Sequence, residues 1–114
     1  MFAVFADKFG IEEKQALMLA APFGGGFAQT RETCGAICGM FMVMGLAEGF
    51  SVPDKQTKAE FYSTLREMQA QFVSEYKTIN CAHLLQYARD GGIEKPCDQI
   101  VALAVEITQA RLDS

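Results

Sequence analysis

No stretch of this sequence is basic. Ten Lys and Arg residues against fourteen Asp and Glu give a formal charge of −4, and the cations form no cluster or stripe. Phosphate neutralisation dominates nucleic-acid affinity, so nucleic acid is not an expected partner. Long apolar runs are missing too. The longest, residues 34–47, falls short of the roughly 20 residues a membrane helix needs, and no membrane insertion is expected. The opening MFAVFADKFG lacks a basic n-region and a cleavage site, and Asp7 and Lys8 interrupt it at once. It does not read as a signal peptide, which leaves the cytoplasm as the expected location.

Several motifs are absent as well. There is no CxxC, no CxxCH, no zinc-finger spacing and no metalloprotease helix, and no recognisable Ser, His and Asp nucleophile arrangement. The glycine triplet at residues 24–26 is not followed by a phosphate-loop lysine, so a tight turn is the simpler reading of it than an anion cradle. Neither an internal repeat nor a low-complexity tract is visible, and no segment alternates as a strand would.

What is present is helical periodicity. Half of the 114 residues are hydrophobic, ample for a core, and residues 1–114 are expected to form one domain. The chain is expected to be all-α, a compact bundle of five to six helices with a glycine-rich loop before a central buried helix. Phe2, Phe5 and Phe9 make an amphipathic opening without a cap before it, the pattern of a first helix lacking its N-terminal part. A second helix is expected over residues 11–23, with Ala16, Leu17, Leu19 and Ala20 as its apolar positions. Thr33 suits an N-cap for the next, running to about Gly49.

Ser51, Val52 and Pro53 read as a linker. Phe61, Leu65, Met68, Phe72 and Tyr76, spaced by three or four, predict a long helix over 54–77. Asn80 can cap a short helix over 81–88, stopped by Gly91 and Gly92, and Pro96 suits the first turn of a last helix with Ile100, Leu103, Ala104 and Ile107 on one stripe.

On this map three of the four cysteines, Cys34, Cys81 and Cys97, fall in the first turn of a helix. Free N–H groups and the positive end of the helix dipole favour an anion there. About 1 kcal/mol of such stabilisation would lower a thiol pKa by roughly 0.7 unit. Arg31 is the nearest cation in sequence to Cys34. Cys38 follows Cys34 by one turn, and a bond between them would be strained in an undistorted helix. Small core residue is the plainer role for Cys38, as a surface or cap position is for His83. Met40, Met42 and Met44 suit core packing better than soft-metal binding. Gly35 and Gly39 share one helix face, where another backbone or a cofactor can approach closely.

These residues leave three readings open. Cys34, Cys81 and Cys97 converge for thiol–disulfide exchange or electron transfer, with Cys34 leading and Cys81 or Cys97 resolving. Alternatively the same thiolates hold Zn or an iron–sulfur cluster, completed by Cys38 or His83. The third is a non-catalytic interaction protein whose apolar surface is consumed in a homodimer.

At CGAICG the sequence resembles the C_GCAxxG_C_C family of redox-active proteins, named after its spaced cysteines. FAVFADKFG, PFGGGFAQTRETCGAICG, FMVMGLAEG, the pair Phe61 and Tyr62, the INC around Cys81 and the lone Cys97 all carry the likeness. The resemblance implies a small helical bacterial or archaeal protein, redox-active through family cysteines, with an unidentified redox partner and a link to transporter systems. Cys34, Cys81 and Cys97 match three of the family's four cysteines. Cys38 falls on a variable position.

Overall fold

The apolar stripe of Phe61, Leu65, Met68, Phe72 and Tyr76 forms the helix its spacing predicts. In the computed structural model, which describes residues 1–51, 54–92 and 96–114, this is α4 (Lys55–Tyr76). Asp54 caps it by accepting the Thr57 N–H at 3.1 Å, and Lys77 ends it in the left-handed conformation. Before it come α1 (Phe2–Phe5), a 3-10 turn (Ala6–Phe9), α2 (Glu13–Ala20), a second 3-10 turn (Ala21–Phe23) and α3 (Gly35–Glu48). After it come α5 (Cys81–Asp90) and α6 (Pro96–Leu112). The architecture is all-α. Among the described residues there is no strand, only one isolated bridge between Thr33 and Asn80.

α3 is the centre of the bundle because it is apolar nearly all round, and such a helix is stable only when covered on several sides. Ile37, Met40 and Met44 pack with Leu65, Met68 and Phe72 of α4, Leu84 of α5, and Ile100 and Ala104 of α6. On the other side Val43 meets Phe2, Phe5 and Ala16. Met40 and Met44 are fully buried, as core packing requires. At the far end of the bundle Arg111 pairs with Glu48, its Nη2 at 2.6 Å, joining the C-terminal turns of α6 and α3. Both side chains are more than a third exposed, so the pair stabilises by at most about 1 kcal/mol.

The glycines of α3 divide into two kinds. A Cβ on Gly35 would lie 2.8 Å from the Phe23 carbonyl oxygen, and one on Gly39 2.8 Å from Met1 Cγ. Their shared face does admit another part of the chain. Gly45 has no such neighbour, since a Cβ there meets nothing within 4 Å. Gly45→Ala is therefore expected to stabilise the fold by about 0.5–1 kcal/mol, the helix-propensity difference. A denaturant midpoint that falls instead would mean this helix end is not helical in solution.

Four sequence expectations need correction. Residues 11–23 do not form one helix: α2 is short and the chain tightens into a 3-10 turn at Ala21. Nor is its apolar face buried. Ala16 is inaccessible, but Leu17 and Leu19 are each 55% exposed, because α2 touches the bundle along a stripe only one residue wide. The cap of α3 is Cys34, not Thr33, whose backbone is engaged in the bridge to Asn80. The 2–9 segment is a single α turn followed by a 3-10 turn, with Phe2 and Phe5 buried. Of the expected linker, Val52 and Pro53 lie outside the described residues.

Candidate functional site

The bridge between Thr33 and Asn80 is what organises the cysteines. Cys34 N–H donates to the Ile79 carbonyl at 2.7 Å and Cys81 N–H donates to the Glu32 carbonyl, the pattern of an antiparallel pair. Immediately beyond it each chain turns into a helix. Cys34 becomes the N-cap of α3, and Cys81 the first residue of α5, whose cap Asn80 accepts the His83 N–H at 3.0 Å. Cys34 lies opposite Ile79, so Cys34 and Cys81 are diagonal neighbours on one face of the pair. Such residues are typically about 7–8 Å apart, with somewhat closer Cβ atoms. Both thiols are free.

Cys97 joins them from the second position of α6. Cys34, Cys81 and Cys97 all line one cavity of about 310 Å³, together with Gly24, Gly25, Gly26, Gly35, Ala36 and Arg31. The two remaining candidates lie elsewhere. Cys38 is half-buried one turn along α3 and does not line the cavity, and His83 is exposed beside Gln86, Tyr87 and Asp90. Among the described residues no three His, Cys, Asp or Glu side chains are grouped to hold a metal ion.

The wall facing the thiols is a left-handed turn. Gly25, Gly26, Phe27, Ala28 and Gln29 all have positive φ, between 53° and 72°, and Arg31 follows at 62°. Each non-glycine residue in this conformation costs roughly 1–2 kcal/mol, so the loop must be held by its surroundings. Arg31 N–H donates to the Gly25 carbonyl, Glu32 N–H donates to that of Gly26, and the Arg31 carbonyl accepts the Ala82 N–H. Gly26 sits against the site itself. A Cβ there would lie 2.6 Å from Cys81 Cβ and 2.8 Å from the Glu32 nitrogen. A glycine triplet was visible in the sequence. The run of left-handed non-glycine residues after it was not, since Phe, Ala and Gln carry no signal for that conformation.

Electrostatically the site departs from expectation at Cys34. Burial pushes this thiol above the ordinary range. The amides of Ala36 and Ile37 favour its anion, but less than desolvation disfavours it, and the neighbouring Cys81 and Cys97 add repulsion. Neither amide completes a cap hydrogen bond to the sulfur. The helix start is thus outweighed, because only 8% of Cys34 reaches water. Burial also raises Cys38. Arg31, the cation expected near Cys34, instead contacts Cys81, its Nη1 3.9 Å from the sulfur.

A pH dependence follows from these shifts. The folded chain holds the Cys34 and Cys38 protons more tightly than the unfolded chain, so their contribution to stability is complete below about pH 8.5 and is lost as pH rises through the folded values. Alkylation of Cys34 by iodoacetamide in the native state is expected to be slower than that of exposed Cys97 at pH 7, by tenfold or more. Its rate should still be climbing above pH 9. Equal rates at pH 7, read by peptide mapping, would show that Cys34 is neither shielded nor shifted.

Comparison with known proteins adds one finding. The family model described as "Putative redox-active protein (C_GCAxxG_C_C)" matches residues 1–111, and the chain belongs to that family. No curated protein and no solved structure matches it.

Proposed function

We propose that this member of the C_GCAxxG_C_C family is a thiol–disulfide oxidoreductase whose reacting groups are Cys81, Cys34 and Cys97. The observation that carries the reading is that three separate helix starts contribute a free thiol to one cavity. Cys81 is the better attacking group. It is partly exposed, begins α5 and has a guanidinium beside it, whereas buried Cys34 suits the second step.

In the forward direction the Cys81 thiolate attacks one sulfur of a disulfide R–S–S–R. A Cys81–S–R bond forms, the substrate S–S bond breaks, and the first R–S⁻ leaves and takes up a proton. Cys34 then gives up its proton and attacks the Cys81 sulfur. The second R–S⁻ departs, is protonated, and a Cys34–Cys81 disulfide remains. The protein has lost two electrons and two protons, and the substrate has gained both as two thiols. Cys97, exposed at the rim, is the alternative resolving thiol.

Partial oxidation with 2-hydroxyethyl disulfide, followed by alkylation and peptide mapping, tests this. Two thiols should disappear together, return with dithiothreitol, and yield a linked peptide pair containing Cys34 and Cys81. Cys34→Ser should accumulate the Cys81 mixed disulfide. Thiols that react one at a time, without any linked pair among Cys34, Cys81 and Cys97, would refute the proposal.

A further inference from the structure

We infer that the cavity selects small disulfides that carry negative charge, with Arg31 as the residue that recognises the anion. This rests on the thiol–disulfide reading and names the substrate class for the same site.

Size is the first constraint. A cavity of about 310 Å³ lies at the lower end of ligand pockets. At about 30 Å³ per water it accommodates on the order of ten non-hydrogen atoms. A low-molecular-weight disulfide is of that size.

Charge is the second. Among the described residues lining the cavity, Arg31 is the one charged side chain, and no carboxylate lines it. Arg31 has no ion-pair partner among the described residues, where the pair formed is that of Arg111 and Glu48. Its polar side-chain contact is the long one to Cys81. Elsewhere the chain is acidic, so a guanidinium without an ion pair among the described residues, beside a pocket whose described lining holds no carboxylate, is a local reversal of the protein's charge. The Arg31 backbone is pinned on both sides, its N–H to Gly25 and its carbonyl to Ala82, which holds the side chain's root in place.

A free first-turn amide is the third. Gly35, which lines the cavity, is the first residue of α3, and helix geometry leaves its N–H group without an intrahelical partner. A carboxylate at the rim would meet the fork of Arg31, with its substituent's sulfur toward Cys81. A cationic disulfide would be repelled from the same position.

Three probes of similar size test this: dithiodiglycolate (anionic), 2-hydroxyethyl disulfide (neutral) and cystamine (cationic). The quantity is the second-order rate constant for loss of the Cys81 thiol at low ionic strength, divided by that of a free small thiol with the same reagent. This division removes each reagent's own reactivity. Dithiodiglycolate is expected to exceed cystamine by about tenfold or more, equivalent to about 1.4 kcal/mol. Arg31→Gln should bring the ratio to within about twofold, and Arg31→Lys should keep part of it.

If Arg31→Gln slows all three reagents equally, Arg31 acts on the thiol and not on the substrate, and the inference is overturned. It is also overturned if all three reagents form the Cys34–Cys81 disulfide at equal normalised rates, an outcome that leaves the oxidoreductase reading standing. Should no reagent link Cys81 to Cys34 or Cys97, the oxidoreductase reading itself fails and takes this one with it.

Discussion

Gly26→Ala is expected to lose about 3 kcal/mol of stability and to disable the cysteine site with it. Two costs combine. At φ 72° a non-glycine residue loses roughly 1–2 kcal/mol. The new methyl must also displace Cys81 Cβ and the Glu32 backbone, 2.6 and 2.8 Å away. Overpacking of this kind costs about 1–3 kcal/mol more, and neither neighbour is the loose end of a flexible side chain.

Gly10→Ala is the control. Gly10 has the same φ of 72° but nothing within 4 Å of the added Cβ, so its loss should be the conformational cost alone, about 1–2 kcal/mol. Urea unfolding of both variants gives the packing cost by difference. In Gly26→Ala the formation of the Cys34–Cys81 link should also slow markedly, since Cys81 and its bridge to residue 32 must shift together. Equal losses in the two variants, or unaltered linking, would mean that the loop does not bear on Cys81.

Oxidation should raise the melting temperature. A Cys34–Cys81 disulfide would close a loop of roughly 50 residues, and the chain-entropy relation assigns about 4 kcal/mol to such a cross-link. Part of this is offset, because diagonal neighbours start farther apart than the Cβ separation of about 3.8 Å that a disulfide requires. A net gain of about 2 kcal/mol corresponds to a rise of roughly 8 °C or more for a domain near this size. Calorimetry of the oxidised and reduced protein measures it, with Cys81→Ser showing no difference between the two. A lower melting temperature on oxidation would mean that strain exceeds the entropic gain, or that another pair forms.

α4 shows how far local pattern reaches. Its five apolar positions, its Asp54 cap and its end at Lys77 all lie within one or two turns of the residues they affect. The same holds for Asn80 capping α5 and Pro96 opening α6. Positions of cysteines at helix starts were legible for that reason: a cap signals the start, and the thiol stands beside it. Even there the register slipped by one at α3. Thr33 was the better cap by residue type, but its backbone is held by Asn80, a residue no local rule connects to it.

What the sequence by itself determined is the helical class, most of the helix boundaries and the clustering of thiols at helix beginnings, because hydrophobic period and capping act over three or four residues. Tertiary structure alone decided how the thiols behave. The pairing of Thr33 with Asn80 sets Cys34 diagonally from Cys81, and burial under α4, α5 and α6 raises the Cys34 pKa against its helix start. The same folding exposes Leu17 and Leu19 and brings Arg31 to Cys81. Desolvation and charge proximity depend on which distant segments meet in space, and residues some fifty positions apart carry no periodic signal of that meeting.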